Sequence, residues 1–269
     1  MQQPIAVLDS GVGGLTVVKE MMRQLPREKV IYFGDTARTP YGPRPSREVL
    51  HFTREIVDYL LQFRPKMIVI ACNTATAVAL EDIRSRVNVP VIGVINPGAR
   101  AAIKRTKTGV IGVIGTQGTI NSGAYEHALK ELSPHVHVIS EACPAFVPLV
   151  ERGNFRSNET YETVLSSLGR LRKAPMDCLI LGCTHYPFLS DTIAEVMGDH
   201  VELISSAEET ARDISTILHD QRKLARGDQL PVHQFFCSGD PAIFKQITLQ
   251  WLGEQIELTP VVWQVPQIG

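Results

Sequence analysis

Short runs of branched apolar residues recur along the chain, at 4–8, 29–33, 68–70 and 90–95. Each ends in a polar or glycine-rich exit. Unbroken apolar runs of this length suit strands buried on both faces. Between them the period changes. Leu15, Val18, Met22 and Leu25 stand at helical spacing before Pro26, and Ser46 caps a second helical pattern carried by Val49, Phe52, Ile56, Tyr59 and Leu60, with Pro65 as its limit. A third helix is predicted over 75–87. The same series then restarts, with strands at 109–114, 135–139, 178–181 and 201–204 and helices at 99–104, 124–132, 159–171 and 187–197. Beyond it, Ser206 caps a helix over 207–224, residues 226–228 make a turn ending at Asp228, and a strand at 233–237 and a helix over 241–252 follow. The remainder, with Trp263, packs back on the fold.

The restart defines the architecture. Ser10 and Cys72 are 62 residues apart and Thr116 and Cys183 are 67 apart, each pair at corresponding strand exits. An α/β fold is expected, with two similar three-layer domains of mainly parallel sheets, related by a pseudo-two-fold axis and facing one another across a cleft that holds the active site. The tail has no counterpart after residue 100. It is expected to return to the first domain, giving residues 1–96 with 208–269 against 97–207.

Chemistry is concentrated where the two series match. The apolar run before Cys72 leads into Cys72-Asn73-Thr74, and the run before Cys183 leads into Cys183-Thr184-His185. Open parallel sheets bind ligands outside the carboxyl ends of their strands, so the two thiols are expected to flank one site. A space-filling cysteine needs no such polar neighbours. Asp9, at the exit of the first strand, is placed to orient or deprotonate Cys72. His185 lies two residues beyond Cys183, and Glu151 stands in the facing loop. The start of the helix after Cys72 is expected to lower its pKa. The glycines at 11, 13 and 14 permit a tight turn and close backbone approach to a ligand. They do not form the dinucleotide-binding pattern.

Two opposed acid–base groups suit proton transfer at a stereocentre, one removing the α-proton and the other protonating the opposite face. No lysine follows a strand exit to hold pyridoxal, and no His/Cys cluster has zinc spacing, so neither cofactor nor metal is expected. Stabilisation of charge at Cα then falls to hydrogen bonds. Asn73, Thr74, Thr116, Thr119 and Thr184 supply side-chain donors, and the backbone N–H groups at 10–11, 41–42 and 184–185 can hold carboxylates. A cysteine hydrolase would leave the second thiol unexplained. A clamp that binds its ligand without reaction stays open.

Composition narrows the partners. The chain has 269 residues, 44% apolar and 20% charged, with a net charge of -1. That gives nucleic-acid binding little electrostatic support, while an anionic substrate can still be held by helix starts. Five cysteines do not suggest a disulfide scaffold, and Cys143, Cys178 and Cys237 read as core residues. With no leader pattern at the start and no long apolar run, a reducing cytoplasm is expected and a membrane partner is not.

The segments 8–15, 40–42, 71–75 and 182–187, with Asp9-Ser10-Gly11, Pro40-Tyr41-Gly42, Cys72-Asn73-Thr74 and Cys183-Thr184-His185, resemble the glutamate racemases, a family of cofactor-independent amino-acid racemases. Four motifs in order make the resemblance specific, and it runs over residues 5–206. It implies interconversion of L- and D-glutamate, supply of D-glutamate for peptidoglycan and a homodimer. It further implies that Cys72 takes the proton from D-glutamate with help from Asp9. Cys183 would take it from L-glutamate, helped by His185 and Glu151. Ser10, Tyr41, Gly42, Asn73, Thr74, Thr116, Thr119 and Thr184 would line the substrate pocket. Aspartate is the alternative substrate.

Overall fold

The computed structural model describes residues 3–227, 230–253 and 258–261. The expectations for Asp228 and Trp263 lie outside the described residues.

The first half opens with β1 (Ile5–Asp9), α1 (Leu15–Gln24), β2 (Val30–Gly34), α2 (Ser46–Leu61), β3 (Met67–Ile70), α3 (Asn73–Arg86) and β4 (Val91–Gly93). The second contains α4 (Ile95–Arg105), β5 (Val110–Gly115), α5 (Gln117–Asn121), α6 (Ala124–Leu132), β6 (His137–Ala142), α7 (Phe146–Glu151), α8 (Asn158–Leu168), β7 (Cys178–Gly182), α9 (Ser190–Met197) and β8 (Glu202–Ile204). The chain then adds α10 (Ala207–Asp220), β9 (Gln234–Cys237), α11 (Pro241–Leu252) and β10 (Leu258–Pro260).

Among the described residues all strand pairings are parallel, in a six-stranded sheet ordered β10-β9-β2-β1-β3-β4 and a four-stranded sheet ordered β6-β5-β7-β8. Without β9 and β10 the two orders are the same, which is the repeat seen in the sequence. Leu8 pairs with Ile70 and Gly115 with Gly182. Continuing these registers sets Ser10 opposite Cys72 and Thr116 opposite Cys183. The expected pair of α/β units with parallel sheets is what forms.

Alternation along the strands explains the layers. Ala6 and Leu8 face a core shared with α2 and α3, whereas Ile5 and Val7 face the opposite side. That opposite core is continuous with Cys143, Phe146, Leu181 and Tyr186 of the second half. A third core lies where Ile111, Val113 and Ile180 meet α4 and α6. The middle core is therefore common to both halves, and burying it couples their folding. A buried ion pair fixes the returning tail. Lys66 Nζ lies 2.5 Å from Glu28 and donates to the Lys223 carbonyl, while Glu28 accepts from the Ala225 N–H. These bonds direct the chain after α10 to the first sheet, where β9 pairs with β2.

The structure shifts several elements from their sequence positions. Helix α4 begins at Ile95, four residues early, because a proline in the first turn has no N–H that the helix needs. Helix α3 begins at Asn73, since the Cys72 thiol itself caps it. Ser46 is the first residue of α2 and Pro45 its cap, and Ser206 precedes α10 without a side-chain capping bond. Strand β6 runs two to three residues later than its hydrophobic pattern, at His137–Ala142. Helices α8 and α10 stop short of the apolar residues that extended their patterns, at Leu168 and Asp220. Residues Tyr186–Leu189 form a 3-10 turn before α9. Helices α5 and α7 occupy segments read as loops, being too short to show a period.

Candidate active site

The two thiols lie at the carboxyl ends of β3 and β7, each only 5% exposed. The expected cleft is thus closed in this structure. Cys72 Sγ receives the Ala75 N–H at 3.5 Å and lies 3.6 Å from Ser10 Oγ. Those bonds act as expected for a helix start, drawing the thiol pKa down, but they are outweighed. Burial, then the negative charge of Asp9, pushes Cys72 up to about 12. A negative charge on Cys183 also acts in that direction. The expected lowering of the Cys72 pKa is therefore reversed, because the second half covers a helix start that would otherwise face water.

Asp9 lies between the halves and is fully buried. Its carboxylate accepts from Gly11 N–H at 2.9 Å and from Thr184 Oγ at 2.9 Å. Burial raises its pKa, opposed by the nearby charge of His185 and by these hydrogen bonds. Asp9 thus acts on Cys72 through its charge, and Ser10 is the hydroxyl beside the sulfur.

On the other side, His185 Nδ1 is 3.8 Å from Cys183 Sγ and Nε2 is 2.5 Å from Glu151 Oε1. Burial disfavours protonation of this imidazole. Its hydrogen bonds to Cys183 and Glu151, with the charges of both, overcome burial and hold its pKa well above the usual histidine range. Glu151 ends α7 and also accepts the Val12 N–H at 3.2 Å, across the interface.

The glycine turn after β1 serves this approach. A Cβ on Gly11 would lie 2.1 Å from Glu151 Oε1, and one on Gly13 would lie 2.4 Å from both His185 Nδ1 and Thr184 Oγ. The close neighbours of Gly11 and Gly13 are thus side chains from the second half, whereas Gly14 packs against Asp9 and Tyr32.

The remaining candidates fall into two groups. Thr74, Thr116 and Thr119 form a buried triangle of hydroxyls, with oxygen separations of 2.9, 3.2 and 3.1 Å. Rotation about these C–O bonds can aim protons at a carboxylate without a cationic side chain. Gly42 joins them through its carbonyl, which accepts the Gly118 N–H at 2.9 Å, and a Cβ there would strike Thr116. Tyr41 is buried, but its hydroxyl donates to Asp35 at 2.5 Å. Its side chain therefore anchors the loop, leaving the backbone as its means of reaching a ligand. Asp35 also accepts from Arg38 and Ser238, an anchor that sequence reading missed because Ser238 comes from the distant tail. Asn73 is buried and bonded to Tyr125 from α6, another residue the sequence did not single out. Among the described residues no cluster of three His, Cys, Asp or Glu side chains has the geometry of a metal site.

The model of the Asp/Glu/hydantoin racemase family matches residues 5–214. A glutamate racemase of Bacillus cereus is 54% identical over 257 residues, 96% of each chain. A crystal structure of a glutamate racemase isoform from Bacillus anthracis superposes with a TM-score of 0.93 at 50% identity, covering 96% of this chain and 97% of that one. The glutamate racemase of Francisella tularensis, solved in complex with D-glutamate, gives a TM-score of 0.90 at 32% identity over 97% of both chains.

Proposed function

The chain belongs to the Asp/Glu/hydantoin racemase family, and from that membership we propose that it interconverts L- and D-glutamate without a cofactor, supplying D-glutamate for peptidoglycan. What supports this reading is that the two strand ends meet at one closed interface, where Thr184 donates to Asp9 and Glu151 accepts the Val12 N–H, with each thiol keeping its own polar partners.

In the L-to-D direction, Cys183 as thiolate takes the α-proton, so the Cα–H bond breaks as an S–H bond forms. Cys72 as thiol then gives its proton to the opposite face of Cα. The high Cys72 pKa suits it to hold that proton until Cα carries charge. A protonated His185, backed by Glu151, supplies positive charge beside the Cys183 sulfur. In the D-to-L direction the roles reverse: Cys72, as the thiolate left when it gives its proton to Cα, takes the α-proton of D-glutamate, and Cys183 as thiol protonates the opposite face. Asp9 and Ser10 are the groups assigned to that half. Thr184 holds Asp9, while Asn73, the threonine triangle and the backbone at Tyr41 and Gly42 bind the carboxylates. Hydroxyl and amide donors account for an anionic substrate in a chain of net charge -1.

The division into residues 1–96 with 208–269 and residues 97–207 gives each unit one of the two strand-end thiols, Cys72 and Cys183, and entry of substrate requires the two to part. The enzyme is a cytoplasmic homodimer in this proposal. Among the described residues no helix is long and apolar enough to cross a membrane.

Circular dichroism of L-glutamate with purified enzyme and no additive is the test. The signal is expected to decay to zero, whereas aspartate under the same conditions keeps most of its signal. A stable glutamate signal, or faster decay with aspartate, would overturn the substrate assignment.

A further inference from the structure

Asn73 follows Cys72 directly and is 2% exposed. Its two ends differ. Oδ1 accepts the Tyr125 hydroxyl at 2.7 Å, whereas Nδ2 is buried with no hydrogen-bond partner. A buried N–H without an acceptor is unfavourable, and such groups at a site belong to what the site binds. An amide can present either its oxygen or its nitrogen by a half-turn. One strong bond to Oδ1 decides which.

Tyr125 is built to hold that choice. It projects from α6 in the second half, is 3% exposed, and reaches across to α3 in the first. Its ring lies against two glycines. A Cβ on Gly182 would come within 3.0 Å of the ring, and one on Gly98 within 3.1 Å of the hydroxyl. Gly182 is the residue before Cys183. A single rigid side chain therefore packs beneath one thiol-bearing strand end and hydrogen-bonds the residue beside the other thiol.

We propose that Tyr125 is a positioning residue: its hydroxyl fixes the Asn73 carboxamide so that Nδ2 donates to the α-carboxylate of the substrate. The proposal rests on the racemase reading for the identity of the ligand. The α-carboxylate is the one bonded to the carbon that Cys72 must reach, and its oxygens gain charge as the α-proton leaves. A donor held in place beforehand then strengthens in the transition state. Without the hydroxyl the amide is free to turn its oxygen toward an anion, which repels it.

The test is a double-mutant cycle with Y125F, N73A and the combined variant, with kcat and KM measured separately on glutamate. Y125F keeps the ring and its packing. It is expected to lower kcat/KM about 10- to 100-fold, mainly through kcat, as fits loss of one hydrogen bond that matters more in the transition state. N73A is expected to lose at least as much, and the combined variant no more than N73A alone. Wild-type kinetics in Y125F, or losses that multiply, would overturn the proposal. A second measurement does not depend on turnover. In 15N-labelled protein the Asn73 side-chain amide signals, identified by their absence in N73A, are expected to shift in Y125F. Unchanged signals would also overturn it. Failure of the wild-type enzyme to racemise glutamate would instead sink the substrate reading and leave the amide signals to decide the role of Tyr125.

Discussion

Replacement of Cys72 or Cys183 by serine is expected to lower kcat/KM for racemisation about a thousandfold, within the range general acid–base groups supply. The substitution is nearly isosteric, and both sites are buried, so the fold should tolerate it. A hydroxyl is a far weaker acid than a thiol, and each variant thus lacks one of the two proton carriers. The two enantiomers have equal free energy in water. The equilibrium constant is therefore unity, and kcat/KM must be the same in both directions for the wild type and for every variant. Loss of one thiol cannot block one direction alone. Its asymmetry must appear as kcat and KM that differ between L- and D-glutamate by the same factor. Stopped assays on both enantiomers check this. Either variant with kcat/KM within tenfold of the wild type would remove that thiol from the reaction.

G13A is expected to be the most damaging substitution of a residue that touches no substrate, with at least a hundredfold loss of activity and little loss of secondary structure. Gly13 does not have a positive φ, so alanine fits its backbone. The obstacle is its Cβ, 2.4 Å from His185 Nδ1 and Thr184 Oγ, a separation that atoms cannot sustain. His185 cannot simply step aside, because its ring is held by Cys183 on one nitrogen and Glu151 on the other. Displacing it removes the charge beside Cys183, and displacing Thr184 frees Asp9. G11A provides the comparison. Its Cβ meets Glu151 Oε1, the end of a flexible side chain that can give way at the cost of its bond to His185 while the ring itself stays in place, and a milder loss is expected. Activity and thermal melting of both variants decide the matter. Full activity in G13A would show that His185 has room to move or is not needed.

The repeat, the parallel sheets and the two strand-end thiols were legible in the sequence for a common reason. Strands such as β1, β3 and β7 are buried on both faces and read as unbroken apolar runs, and a cysteine among polar residues at their ends breaks the pattern. What escaped depends on the contact between the halves. The Cys72 pKa rises where a lone helix start would lower it, because burial by the other half is a long-range property. The glycines after β1 are readable as a place of close approach, but the close neighbours of Gly11 and Gly13, His185 and Glu151 among them, come from well over a hundred residues away. Tyr125 looks in sequence like an ordinary core residue of an amphipathic helix. Only the fold brings it to Asn73. Short helices such as α5 have too few turns for a period to emerge, and α5 is defined by its Thr116 cap.

The decisive measurement follows deuterium during the first few percent of turnover of L-glutamate in heavy water. A thiol carries one proton. If one sulfur removes hydrogen and a different sulfur returns it, the D-glutamate formed must contain solvent deuterium at Cα, while unreacted L-glutamate keeps its original hydrogen. Mass spectrometry of the separated enantiomers is expected to show that division. Deuterium appearing equally in both enantiomers, or D-glutamate that retains the hydrogen of its parent, would contradict proton transfer by two opposed cysteines.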